Sequence, residues 1–511
     1  MKKIAHLLLG RVSIWIIFIL LQISWMAVVL FKFSYQFTYA NLAIRTLAII
    51  VVLRLLNKWV NPDNKLSWTF LILLSPMLGL LIYFLFGRSG LTRGTKRRMD
   101  KINQEVNTLR KRDTEAEEQL KAHSISAYNQ TKYINDWSGY PLYRNTSTKY
   151  YACGEDMFPD MLAALEAAKH FIFLEFFIVE EGYMFRKIVD ILEQKVKEGV
   201  EVRLIYDDMG SITTLPTKYY KTLQAKGIKC GAFNPVRPIL SVVMNNRDHR
   251  KIFVVDGNVG FTGGINLADE YINKVKRFGY WKDTGIRIEG EGVWSLTTMF
   301  LEMWNYIVRS TEDYSRFMPL LYQTKPYEND GFVQPYGDSP LDHENVSENI
   351  YLNIINRAKE YVYIYTPYLI IDNEMLTSLR NAAKCGVDVR IVTPGIPDKK
   401  MVFLLTQAYY APLLASGVRI YQYTPGFIHA KSFVCDDEIA TVGSVNLDFR
   451  SLYLHFECGV WMYQSKAVMQ VKEDCLETFR CSEEISFEFC RNRHLLIRML
   501  QSVLRLFAPL L

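Results

Sequence analysis

Apolar runs dominate the first 90 residues of this 511-residue chain. Two of them, Val12–Phe31 and Leu66–Phe86, carry no charged residue and are long enough to cross a bilayer as helices. A shorter run between them, Leu42–Leu56, is interrupted by two arginines and is a further candidate span. The pattern therefore predicts that residues 1–90 form a membrane anchor of two or three transmembrane helices.

Basic residues after the last apolar run indicate how the anchor is oriented. They lie close together: Arg88, Arg93, Lys96, Arg97 and Arg98. Because such clusters remain on the cytoplasmic side, we expect the rest of the chain to be cytoplasmic. Lys2, Lys3 and Arg11 favour a cytoplasmic N-terminus as well, and three spans cannot satisfy both groups. The eight cysteines form no C-x-x-C pair, which favours reduced thiols facing the cytosol.

Beyond the anchor, the pattern changes to charged and then alternating segments. Residues 91–135 are rich in charge, and we expect a linker helix that lies in solvent or along the membrane surface. Residues 169–208 then show an apolar run, a helical segment and a second apolar run, and residues 359–394 repeat this order. Strands that alternate with helices form sheets flanked by helices. We therefore predict an α/β protein with two pseudo-twofold-related halves, 136–325 and 326–511, each built on a mixed β-sheet.

One further strand in each half carries the polar pattern H-x-K-x-x-x-x-D. The residues are His249, Lys251 and Asp256 in the first half and His429, Lys431 and Asp436 in the second. Since strand side chains alternate, each histidine shares a face with its lysine. A short glycine-containing turn follows each aspartate, "GGIN" ending at Asn266 and "GSVN" ending at Asn446. The repeated spacing indicates a duplicated functional motif rather than two ordinary buried strands.

Two imidazoles and two ammonium groups around one pocket are suited to a phosphodiester. One histidine attacks phosphorus to form a covalent intermediate, while the other protonates the departing alkoxide. Lys251 and Lys431 neutralise the non-bridging oxygens, where negative charge must be stabilised in the transition state. Hydrogen bonds to these oxygens and close approach of the backbone are expected from supporting residues. These are Asn266, Asn446, Ser444 and Gly264.

Carboxylates are expected to act on the histidines rather than on a metal ion. Each histidine must present one nitrogen to phosphorus, so the other nitrogen needs an acceptor that selects the tautomer. Asp283 and Glu457 are the candidates, whereas Asp256 and Asp436 are expected mainly to hold the strand ends in place. Each half offers one histidine beside a lysine, and an ammonium group is not a metal ligand at neutral pH. We therefore predict no metal site.

The paired motif resembles that of the phospholipase D superfamily. Together with the anchor, the segments "NRDHRKIFVVDGNVGFTGGINLADEY", "NLDFRSLYLHFECGV" and "LRLFAPLL" are similar to bacterial cardiolipin synthases. The resemblance implies two phospholipase D-like halves and a reaction that joins two phosphatidylglycerols into cardiolipin and releases glycerol, without metal or nucleotide cofactor. It also implies a multi-pass protein of the bacterial cell membrane, with His249 as the nucleophile and His429 as the acid and later the base. The residues alone leave these two roles interchangeable.

The expected partners are phosphatidylglycerol and anionic membrane lipid. The net charge of +7 suits any anionic surface. A multi-span anchor brings no advantage with nucleic acid, so a nuclease is disfavoured. A hydrolase that releases phosphatidic acid is the alternative, because the motifs do not identify the acceptor.

The C-terminal segment is predicted to be an amphipathic helix. Arg491, Arg498 and Arg505 are seven residues apart and share one helical face, with apolar residues opposite. Such a helix either lies on anionic lipid or packs on the domain with its basic face in solvent.

Overall fold

The computed structural model describes most of the chain after residue 37. The described residues are 20–22, 24–25, 28, 38–87, 93–236, 246–310, 312–323, 326–342 and 344–510. The predicted span Val12–Phe31 lies largely outside this part of the chain. The basic residues of the N-terminus and Arg88 lie outside it as well.

Two β-sheets with the same strand order form the centre of the protein. In spatial order, the first sheet contains Thr146–Tyr151, Gly285–Gly290, Val259–Gly263, Ile252–Val255, Phe171–Phe176, Glu201–Asp207 and Lys229–Phe233. The second sheet contains, in the corresponding order, Phe332–Asp338, His455–Tyr463, Ile439–Gly443, Ser432–Cys435, Tyr361–Tyr365, Asp388–Pro394 and Arg419–Tyr423, with Ser482–Glu484 added at its edge. The last three strands of this common order are parallel, and the preceding pairs are antiparallel. The predicted α/β fold with two related halves is confirmed.

Helices cover both sheets. Those of the first half are Gly154–Ala167, Tyr183–Lys197, Tyr220–Ala225 and Val293–Val308. Those of the second half are Val346–Arg357, Asn373–Lys384, Lys400–Thr406, Tyr410–Leu414, Phe449–Tyr453, Lys466–Arg480, Phe487–Arg491 and Leu495–Phe507. The helix Val293–Val308 is buried from Val293 to Asn305 and packs against strands of both sheets, so it joins the halves into one body.

The segment predicted to be a solvated linker belongs instead to the globular body. The structure has three helices here, Arg93–Asn107, Thr114–His123 and Ile125–Ser138. Their apolar residues are buried in the same hydrophobic cluster as the second sheet: Met99, Val106, Leu120 and Ile134. Gln130 also accepts a hydrogen bond from Trp461 Nε1 at 2.8 Å. The expectation was wrong because a narrow apolar stripe, recurring every three or four residues among charges, is enough to dock a helix.

The anchor also departs from the predicted pattern. Of the described residues, Thr38–Leu56 is the one helix long and apolar enough to cross a membrane. The apolar run Leu42–Leu56, which contains two arginines, therefore lies in one continuous helix. The predicted span Leu66–Phe86 is broken at Ser75 into two shorter helices, Pro62–Leu74 and Pro76–Phe86.

The two shorter helices pack against each other instead of forming one rod. Pro76 has no backbone N–H to continue the preceding helix, and it occupies the first position of the next one. A Cβ added at Gly79 would lie 2.4 Å from the Leu71 carbonyl oxygen, so only glycine permits this close approach. The Ser75–Pro76 pair and Gly79 thus make a helical hairpin from an uninterrupted apolar sequence.

The halves are further interlocked by two short strands, each of which pairs with the opposite half. Arg247–Asp248 pairs in parallel with the start of His455–Tyr463, and Gly426–Ile428 pairs in parallel with Tyr280–Lys282. Each short strand ends immediately before a motif histidine. The backbone that presents each histidine is therefore held by the other half.

Candidate active site

His249 is bound to a carboxylate of the second half. Its Nδ1 lies 2.9 and 3.0 Å from the two carboxylate oxygens of Glu457. Its backbone N–H donates to the Phe456 carbonyl at 3.0 Å, which continues the pairing of the short strand. Backbone and side chain of His249 are therefore both positioned by the strand that carries Glu457.

His429 has the reciprocal arrangement with the first half. Its Nδ1 lies 2.7 Å from Asp283 Oδ2, and its backbone N–H donates to the Lys282 carbonyl at 2.7 Å. The structure thus brings together the two histidines and the two carboxylates that the sequence singles out. It pairs them crosswise, so neither half contains a complete histidine–carboxylate unit.

Ser444 and Gly264, which the sequence predicts to support the phosphate, both lie against the carboxylates that bind the histidines. The Ser444 hydroxyl donates to Glu457, as does the Ser451 hydroxyl at 2.7 Å. A Cβ added at Gly264 would lie 2.0 Å from Asp283 Oδ1, so this glycine makes room for the carboxylate that binds His429. Gly264 and Ser444 occupy corresponding positions in the repeat. Each helps to position the carboxylate that in turn orients a histidine.

The two motif lysines are buried behind the histidines. Lys251 Nζ donates to the His249 carbonyl oxygen, and Lys431 Nζ donates to the His429 carbonyl oxygen. Burial lowers the pKa of Lys251 to about 8, opposed by the charge of Glu457. Burial lowers the pKa of Lys431 to about 7, opposed by Asp283. Both ammonium groups therefore lose their protons close to physiological pH.

Burial and the lysines favour the neutral form of both histidines. The pKa of His429 is lowered to about 4 by burial and by Lys431, against the opposing effect of Asp283. The pKa of His249 is lowered well below its usual value by burial and by Lys251. Burial also raises the pKa of Glu457 to about 8. With Nδ1 occupied by a carboxylate, each neutral imidazole is left with Nε2 for chemistry.

Both histidines line one cavity of about 800 Å³. Asn266 and Asn446 line it as well. Asn266 is committed to the protein, since its Oδ1 accepts from Ile178 N at 3.0 Å and its Nδ2 donates to the Tyr271 hydroxyl at 2.8 Å. Asn446 Oδ1 has no hydrogen-bond partner in the part of the chain that the structure describes. Asn446 is therefore the asparagine whose side-chain oxygen is not engaged by the protein.

Asp256 and Asp436 hold the strand ends and do not line the cavity. Each carboxylate accepts hydrogen bonds from three successive backbone N–H groups, residues 169–171 for Asp256 and residues 359–361 for Asp436. Their backbones are left-handed, with φ of 49° and 51°. The last residue of each motif therefore fixes where the adjacent antiparallel strand begins.

Five residues that the sequence did not single out make the two ends of the cavity unlike. His455 and Arg247 lie opposite each other on adjacent strands next to His249. The His455 and His249 rings are 5.7 Å apart. The corresponding pair beside His429 is Trp281 and Phe427, whose rings lie 5.4 and 5.9 Å from it. Arg450 joins the polar end. The signal was present in the chain, because His455 and Trp281 each lie two residues before an orienting carboxylate.

The described residues contain no group of three or more His, Cys, Asp or Glu side chains that could hold a metal ion. Asp207 is bound to the Arg247 guanidinium at 2.7 Å. The cationic groups of the site are lysine and arginine side chains.

Two family models match the chain. The model described as "Cardiolipin synthase, PLD-like domain" matches residues 161–279 and 351–478, and "Phospholipase D-nuclease N-terminal" matches residues 46–88. Cardiolipin synthase 1 of Bacillus cereus is 36% identical over 521 residues that cover 100% of both chains. Cardiolipin synthase of Alkalihalophilus pseudofirmus is 35% identical over 88% of this chain and 90% of its own. An uncharacterized protein of Streptococcus mutans is 46% identical over 90% of this chain and 99% of its own.

Among solved structures, phosphatidylserine synthase of Haemophilus influenzae has a similar fold. The TM-score is 0.56 at 14% identity, and the match covers 76% of this chain and 98% of that one. At this identity the likeness concerns the fold alone.

Replacing Asp436 by alanine is expected to destabilise the fold by about 2–4 kcal/mol, because three backbone N–H groups lose a charged acceptor. Asp436→Asn should cost less, since asparagine keeps one acceptor oxygen and tolerates the left-handed backbone. Asp437→Ala is the matched control, because Asp437 is also left-handed but accepts hydrogen bonds from the side chains of Tyr361 and Lys472 and not from a run of backbone N–H groups. Denaturant unfolding measures all three variants. Equal losses for Asp436→Ala and Asp437→Ala would contradict this role.

Proposed function

The chain belongs to the cardiolipin synthases with phospholipase D-like domains and is a phosphatidyltransferase, and we propose that it joins two phosphatidylglycerols through a covalent phosphohistidine. The observation that carries the proposal is the crosswise pairing of His249 with Glu457 and of His429 with Asp283 around one cavity. The pairing leaves two Nε2 atoms for one phosphodiester. One of them bonds to phosphorus, and the other transfers the proton.

In the first step, Nε2 of the nucleophile forms a bond to phosphorus as the bond to the glycerol oxygen breaks. The second histidine enters this step as an imidazolium, a form that the bound phosphate anion favours over the neutral ring of the empty site. It gives its Nε2 proton to that oxygen, and glycerol leaves. In the second step, the same histidine takes a proton from a hydroxyl of another phosphatidylglycerol, whose oxygen displaces the nucleophile. The sum is two phosphatidylglycerols converted into cardiolipin and glycerol. Following the resemblance, we assign His249 as the nucleophile and His429 as the acid and base.

Positive charge for the transferring phosphate comes from Lys251 and Lys431. Each lies two residues from its histidine and next to the other half's carboxylate. In the buried site their charge is poorly screened, so it stabilises the transition state strongly. We propose that the reaction needs no metal ion, because these two ammonium groups supply the charge that a metal would supply.

The aromatic surroundings of His429 favour lipid over water as the acceptor. The rings of Tyr271, Trp281 and Phe427 lie 5.5, 5.4 and 5.9 Å from the His429 ring. They leave little space for water where the leaving group departs and the acceptor arrives, and this protects the covalent intermediate from hydrolysis. This supports a transferase over a hydrolase that releases phosphatidic acid.

Purified protein given labelled phosphatidylglycerol in mixed micelles with EDTA is expected to form cardiolipin and an equal amount of glycerol. Chromatography of the labelled products measures both. Phosphatidic acid as the sole product would replace the transferase by a hydrolase that uses the same residues. Loss of all turnover in EDTA, restored by added divalent cation, would contradict the metal-free mechanism.

The histidine roles are separable with a substrate that carries p-nitrophenol in place of glycerol. This leaving group departs without a proton, so His429→Ala should still form the labelled covalent enzyme, and His249→Ala should not. Gel electrophoresis under alkaline conditions preserves and detects the label. The opposite result would exchange the two roles, and labelling of both variants or of neither would contradict a single phosphohistidine.

Activity is expected to fall on the alkaline side of neutrality. An ammonium group is charged below its pKa, so kcat/KM should decrease as pH rises through about 7 to 8, where Lys431 and Lys251 lose their protons. Bound phosphate stabilises the charged lysines, so kcat should persist to higher pH than kcat/KM. Lys431→Arg should flatten the alkaline limb, because the guanidinium remains charged. An alkaline limb that is identical in the parent and the arginine variant would show that another group is responsible.

A further inference from the structure

The C-terminal helix Leu495–Phe507 turns its apolar face outward. Leu496 is 67% exposed and Met499 is 58% exposed. Leu495, Leu500 and Val503 on the same face are exposed as well. If the helix packed on the domain with only its basic face in solvent, this surface would be covered. A continuous row of large apolar side chains on one helix face marks an interaction surface.

The opposite face of the helix forms part of the reaction cavity. Gln501 is buried, and its side-chain amide donates to the Leu404 carbonyl at 3.0 Å. Leu504 and Ala508, which lie on this inner face, line the cavity that contains the two motif histidines. The helix is therefore a thin wall, with the site on one side and an uncovered apolar surface on the other.

The helix is continuous with the membrane anchor. The Ser67 hydroxyl donates to the Leu506 carbonyl at 2.7 Å, and the Phe70 and Phe507 rings are 6.0 Å apart. Leu510, just beyond the helix, packs on the hydrophobic cluster of the anchor, which includes residues of the candidate membrane helix Thr38–Leu56. Whatever medium surrounds the apolar anchor also reaches the C-terminal helix.

We propose that the helix Leu495–Phe507 lies in the lipid interface, with its outward face among the acyl chains. Acyl chains of phosphatidylglycerol then pass into the cavity between Leu504 and the neighbouring helix Lys400–Thr406. That helix contributes Met401, Val402 and Leu405 to the cavity wall. The interfacial position is independent of the reaction, whereas the entry path rests on the proposed function.

Positively charged residues on and near the helix agree with an anionic lipid surface. Arg498 is exposed, while Arg505 places its guanidinium 4.8 Å from the Tyr409 ring centroid. Lys399, at the mouth of the cavity, is also largely exposed. An amphipathic helix with arginine on its polar face binds anionic lipid through apolar burial and through charge attraction together.

Photochemical cross-linking tests the position without relying on activity. Met499 is replaced by benzoylphenylalanine in the full chain, reconstituted in vesicles of labelled phosphatidylglycerol and phosphatidylethanolamine. We expect labelled lipid on the protein. Leu320, 70% exposed in the first half, carries the same probe as the control and should take up much less label. Cross-links to a second copy of the chain, or equal lipid labelling at both positions, would overturn the proposal.

Kinetics test the entry path. Leu496→Glu should lower cardiolipin formation from long-chain phosphatidylglycerol in vesicles by about tenfold or more, because an anchoring leucine is lost from lipid. Turnover of dissolved dihexanoyl phosphatidylglycerol should stay within about twofold, as for other surface changes. Leu320→Glu should alter neither. Equal losses with both substrates would make the helix a structural support only, and no loss with either would remove it from the entry path.

The two tests also separate this inference from the proposed function. If the parent protein forms no cardiolipin from either substrate, the proposed function fails, while the lipid cross-link at position 499 still reports the interfacial helix. If cardiolipin is formed and position 499 takes up no lipid, the inference fails by itself.

Discussion

The reciprocal hold of each histidine by the opposite half is the constraint on which the rest of the site depends. Glu457 binds His249 and Asp283 binds His429, and the backbone of each histidine is hydrogen-bonded to the same opposite strand. A shift between the halves would therefore displace both the ring and its acceptor. Interlocking short strands and the shared buried helix Val293–Val308 oppose such a shift. A rigid junction between the halves preserves the tautomer and the orientation of both imidazoles.

Duplication supplies the symmetric framework, and unlike residues at related positions supply two different chemical environments. The sheets share one strand order, and the motif aspartates close both strands in the same way. The polar pair Arg247 and His455 nevertheless corresponds to the aromatic pair Phe427 and Trp281. A two-step transfer needs one histidine that bonds phosphorus and another that moves a proton. In the mechanism that we propose, the different surroundings separate these tasks without any change in the fold.

The C-terminal helix Leu495–Phe507 connects the site to the membrane anchor. It packs on the anchor by Ser67 and Phe70 and lines the cavity by Leu504 and Ala508. In the interfacial position that we propose for this helix, the cavity opens beside the bilayer surface, where the phosphodiester of the substrate lies. The buried lysines gain effect from the same low-dielectric surroundings, at the cost of pKa values near neutrality. The proposed lipid access and the proposed charge stabilisation therefore depend on the same cavity.

The sequence by itself determined what is local or repeated. The α/β pattern, the two motifs, the two orienting carboxylates and the strand-closing role of Asp256 and Asp436 all follow from spacing within short segments. Tertiary structure decided what depends on distant partners: His249 and Glu457 are 208 positions apart, and His429 and Asp283 are 146 apart. The same holds for Ser444, which turns to Glu457, for the docked helices of residues 93–138, and for the hairpin at Ser75. The partner of a side chain is set by which groups lie near it in the folded chain. The periodicity of a segment does not reveal which distant groups those are.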